Sequence, residues 1–114
     1  MLIDERRLFE RFEARFPGRF KGSNDEFGSK VLLRDASAQG IKILSPQRLQ
    51  INQNVAIELQ LPDSENLMPL TGKIMWAKPY ETQVWDYGLK FPRIDLVHMA
   101  RLYNLVVDYI PDRI

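Results

Sequence analysis

The stretch V-L-L-R-D-A-S-A-Q-G-I-K-I-L, residues 31–44, decides the fold. Two short apolar runs, 31–33 and 41–44, are parted by D-A-S-A-Q-G at 35–40. Such runs around a segment rich in Asp, Ser and Gly predict two strands, 29–35 and 40–44, joined by a tight connection. Asp and Ser start turns and Gly supplies positive φ, so Asp35, Ser37 and Gly40 fit a plain turn. They also fit a turn that presents ligand groups. A carboxylate offers two acceptors to the adjacent N–H donors of a guanine edge, a hydroxyl ties a phosphate or base, and a glycine lets backbone come close. The hexapeptide alone leaves both readings open.

Outward from this hairpin the period stays at two. Phe12, Ala14, Phe16, Gly18 and Phe20 alternate with Glu13, Arg15, Pro17, Arg19 and Lys21, which predicts a first strand with one buried face. Pro17 places that strand at an edge or a bulge. Residues 54–61 alternate through Val55, Ile57, Leu59 and Leu61; residues 67–78 carry Leu70, Gly72, Ile74 and Trp76 on one face. After a loop at 78–82, a last strand at 84–91 turns Tyr87, Leu89 and Phe91 inward. From Asp95 the spacing becomes helical (Leu96, Met99, Ala100, Tyr103, Val106, Val107, Ile110), with Asp95 as N-cap and Pro111 as stop. The expectation is an all-β domain with one helix: six short antiparallel strands in a small barrel, one open end closed by a helix at about 95–110.

Composition narrows the function. At 114 residues the chain is one domain, and 16 basic against 15 acidic residues leave a net charge of +1. No general attraction for DNA, RNA or an anionic membrane follows from that balance, so any anion site is local. Without cysteine, and with His98 as the one histidine, disulfides, a metal site and a histidine-based triad are not expected. The charged N-terminus reads as no signal peptide and no run spans a bilayer, so a cytoplasmic protein without membrane insertion is expected. His98 reads as an exposed structural residue, and Trp76, Trp85 and Tyr87 read as packing residues.

Ahead of the first strand stands E-R-R-L-F-E-R at 5–11, with an R-x-x-x-R pair at Arg7 and Arg11 preceded by Arg6. Arg7, Arg11, Arg15 and Arg19 form overlapping pairs of this kind, and a solvated charged face with Glu5, Glu10 and Glu13 accounts for any of them. Arg15 and Arg19 lie inside the strand, whereas Arg7 and Arg11 precede it, where a mobile lead-in can fold over a ligand. The planar guanidinium suits phosphate and the O6/N7 edge of guanine.

R-L-F-E-R (7–11) followed by D-A-S-A-Q-G (35–40), with W-D-Y-G-L-K-F (85–91) as a closing strand, resembles the PilZ domain family. The resemblance covers nearly the whole chain. It implies a six-stranded barrel, residues 12–114 with the C-terminal helix, and an N-terminal ligand segment, residues 1–12. The ligand it implies is cyclic di-GMP, with no cofactor and no enzymatic activity. Carried over by motif position, Arg7 and Arg11 grip phosphate and guanine, Asp35 reads a guanine edge, Ser37 hydrogen-bonds the ligand and Gly40 permits close approach. Arg6, directly before the motif, implies an intercalated ligand dimer; Gly88 and Lys90 line the far side. With no output domain in the chain, the ligand-altered surface is expected to act on a separate protein. A nucleotide-free interaction adaptor of the same fold is the alternative.

Overall fold

The computed structural model describes residues 5–108. Six antiparallel strands run β1 (Phe12–Phe20), β2 (Val31–Ser37), β3 (Gly40–Ser45), β4 (Asn54–Leu59), β5 (Met68–Glu81) and β6 (Val84–Lys90), between α1 (Glu5–Phe9) and α2 (Leu96–Asp108). They pair in the order β1-β2-β3-β6-β5-β4, and β1 pairs with β4, so the sheet closes into a barrel. Ile110 and Pro111, the expected helix end, lie outside the described residues, as do residues 1–4 of the N-terminal segment.

The alternating apolar residues fill the interior. Val31, Leu33, Ile41, Ile43, Ile57, Leu59 and Ile74 are each at most 1% exposed. Tyr87 brings a hydroxyl into this interior, donating to Gln47 O (2.8 Å) and accepting from Leu49 N–H (3.0 Å), which fixes the β3–β4 connection. At one end α2 buries Met99, Leu102 and Leu105, and Tyr103 meets the Phe12 ring edge-on at 5.4 Å. Asp95 caps that helix, its Oδ1 accepting from His98 N–H at 3.0 Å.

Four local expectations are corrected. The lead-in is a helical turn, α1, with Leu8 1% exposed and its carbonyl accepting from Ala38 N–H; burial of one leucine and one backbone bond pins it. β2 runs two residues later than expected, so Ser37 joins Asp35 in the strand and the turn is Ala38–Gln39. Gly40 is not among the positive-φ residues, because it opens β3 instead of making the turn. Residues 78–81 extend β5: a bulge between Pro79 and Glu81 absorbs the proline, and Gln83 (φ 60°) makes the turn into β6.

Gly40 is required by close packing. A Cβ there would lie 2.1 Å from the carbonyl oxygen of Leu89 on β6, which backbone cannot yield cheaply. Gly40→Ala is therefore expected to cost about 1–3 kcal/mol, read as a lower midpoint in denaturant unfolding.

Candidate functional site

Strand register arranges the outer face of β2, β3, β6 and β5 in rows. Asp35 lies opposite Lys42, Lys42 opposite Gly88, and Gly88 opposite Trp76. One step along, Ser37, Gly40, Lys90 and Lys73 form a parallel row, continued by Asn54 on β4. The inward row between them holds Ala36, Ile41, Leu89 and Ile74. Two bulges produce this face. One, between Leu33 and Asp35, brings Asp35 outward; the other, between Ile74 and Trp76, turns Trp76 out of the face that Ile74 shares with the core. The expected inward Trp76 is thereby corrected.

Trp76 lies on Gly88, where a Cβ would fall 2.2 Å from the indole Cε2. The ring is flanked by Lys42 and Lys78, whose ammonium groups are 5.7 and 5.1 Å from its centroid. A flat aromatic between cations on a polar surface can stack a base and hold its phosphate. Strand periodicity could not single out Trp76, because it assumes an unbroken alternation that the bulge at Met75 interrupts.

The two sequence motifs meet here. Arg11 Nη1 lies 2.7 Å from Asp35 Oδ1, and Lys42 Nζ lies 3.9 Å from Asp35 Oδ2. The Asp35 side chain is 18% exposed and that of Arg11 40%, so the pair is reachable from solvent. Arg6 and Arg7 stand exposed on α1, which the Leu8–Ala38 hydrogen bond holds beside the β2–β3 turn. Arg7 has no ion-pair partner among the described residues. Ser37 is only 3% exposed, and its Oγ accepts from Gln39 N–H at 3.3 Å, which makes it a turn-closing residue. Gly40, with its Cβ space occupied by β6, opens no room above the sheet.

Lys90 is exposed and shares with Lys73, Met75 and Phe91 an open groove of about 510 Å³ on the adjoining β5–β6 surface. His98 does have a partner, with Nδ1 2.7 Å from Asp95 Oδ2; it belongs to the α2 cap. Among the described residues no group of three His, Asp or Glu is placed to hold a metal ion. No helix there is long and apolar enough to cross a membrane.

The family model for the PilZ domain matches residues 5–108. A search of curated proteins finds no match. Among solved structures, the Bacillus subtilis inhibitor of motility (MotI/DgrA) is similar in fold: TM-score 0.62, 14% identity, 91% of this chain covered. This chain spans about half (51%) of that one.

If Trp76 rests on Gly88 as described, Gly88→Ala lifts the indole off the sheet. In a Trp85→Phe background, where Trp76 is the sole tryptophan, emission is expected to shift to the red; an unmoved spectrum would contradict the packing.

Proposed function

This chain belongs to the PilZ domain family, and we propose that it is a cyclic di-GMP-binding module, without enzymatic activity, that signals by altering its contact with a separate protein. One observation carries the reading. The R-x-x-x-R and D-x-S-x-x-G segments, distant in sequence, converge on a single outer face at the Arg11–Asp35 contact, with Lys42 between Asp35 and the half-buried Trp76.

The division of labour follows from the chemistry of each group. Asp35 supplies two carboxylate oxygens for the N1–H and N2–H donors of guanine. Arg7 and Arg11 supply forks for phosphate or the O6/N7 edge, and Trp76 supplies a platform for a base. Lys42, Lys78, Lys90 and Lys73 add positive charge around them, in a chain of net charge only +1. Ser37 acts mainly by closing the Ala38–Gln39 turn that holds Asp35 and α1 together, and Gly40 by letting β6 pack against β3. Arg6, next to the motif, fits a second, stacked ligand.

Binding has to exchange the Arg11–Asp35 ion pair for ligand contacts, because each of those groups already has the other as partner. That internal pairing is also what favours the second reading, an adaptor of this fold that takes no nucleotide. Titration calorimetry with cyclic di-GMP separates the two. The expected result is saturable binding that Arg11→Ala and Asp35→Ala each weaken by roughly ten- to a hundredfold, about 1.5–3 kcal/mol. Absence of heat in the parent at ligand concentrations that saturate a PilZ control would favour the adaptor. A fitted stoichiometry of one per chain would exclude the ligand dimer.

A further inference from the structure

The β2 bulge sets the direction of Asp35, and something must hold it. Leu33 and its β3 partner Ile43 both face the core. Strict alternation would then send Arg34 outward, Asp35 inward and Ala36 outward. Instead Asp35 lies opposite outward Lys42, and Ala36, 0% exposed, lies opposite buried Ile41. Arg34 is the extra residue that shifts the phase. A bulge interrupts the ladder locally, so its geometry needs support from side chains.

Arg34 provides it by reaching past β3. Its Nη1 lies 2.7 Å from Oδ2 of Asp86 on β6, and Leu44 of β3 is the register partner that separates them. The Asp86 side chain is 5% exposed, and the Tyr80 ring lies 5.2 Å from the Arg34 guanidinium carbon. As a stabilising element the pair is poor. Both Arg34 Nε and Asp86 Oδ1 are buried without a hydrogen-bond partner. With the Arg34 side chain 26% exposed and Asp86 buried, such an incompletely satisfied, partly buried ion pair contributes little to stability compared with apolar residues of the same size, whereas it can fix one register against others.

We infer that Arg34 and Asp86 are positioning residues: their ion pair locks the β2 bulge to β6 and thereby aims the Asp35 carboxylate at the ligand. The inference rests on the proposed ligand reading for its purpose, though its geometry stands apart from it. Neither residue belongs to the two sequence motifs, and the pair acts only through Asp35.

The test replaces the pair by apolar residues of similar size, Arg34→Met with Asp86→Leu. The melting temperature is expected to equal or exceed that of the parent, since no buried charge is left alone. The affinity for cyclic di-GMP is expected to fall about tenfold or more, as for loss of one charge-assisted contact. Amide protons of Asp35 and Ala36 should exchange faster, with those of β4 unchanged. A double variant that binds as tightly as the parent overturns the inference. So does a lower melting temperature with protection lost in every strand, which would make the pair purely structural. Should the parent itself not bind cyclic di-GMP, the proposed function fails, and exchange at Asp35 and Ala36 alone decides whether the pair holds the bulge.

Discussion

The turn Ala38–Gln39 is the constraint on which the rest of the molecule depends. Ala38 N–H donates to Leu8 O, Ala38 O accepts from Asp95 N–H, Gln39 O accepts from Phe91 N–H, and Gln39 N–H reaches Ser37 Oγ. Two residues thus fasten α1, the end of β6 and the start of α2 to the β2–β3 hairpin. Ala38 is 0% exposed, so its N–H and carbonyl must find partners inside the protein. Without the turn, both helices would lose these backbone anchors and be held to the sheet by side-chain packing.

That arrangement explains why the two arginine-bearing and acid-bearing segments act as one. The Leu8–Ala38 hydrogen bond and the Arg11–Asp35 ion pair run side by side, one between backbones and one between side chains. A ligand that competes for Asp35 pulls on only the second of them. The order–disorder change open to α1 is therefore modest: the arginines can swing while Leu8 stays buried. In the proposed binding mode, a small rearrangement on a fixed base keeps low the ordering entropy that opposes ligand binding.

Much of this was legible in the sequence. Strand alternation put Val55, Ile57, Leu59 and Leu61 on one face, which is buried; helical spacing put Met99 on the apolar stripe of α2, and Asp95 was readable as its cap. The two motifs were expected to form one site, but the ion pair between Arg11 and Asp35 was not: the nearby acids Glu5, Glu10 and Glu13 were the apparent partners for the arginines. What stayed illegible was phase. A bulge adds one residue and leaves no mark in hydrophobicity, so Trp76 was assigned inward and residues 78–81 to a loop. Arg34 was invisible for the same reason: its partner Asp86 is 52 residues away and meaningful only once β2, β3 and β6 lie side by side.

The fold duties of Ser37 and Gly40 bear on how relatives should be compared. Selection for a folded barrel alone would keep a hydroxyl at Ser37, to close the turn, and a missing side chain at Gly40, to let β6 pass. A lineage that had abandoned nucleotide recognition would retain most of the D-x-S-x-x-G signature regardless. The informative letters are Asp35 and Arg11, whose side chains pair with each other at the surface. Drift at those two positions, against constancy at the other two, is the pattern by which loss of a ligand would be recorded in descent.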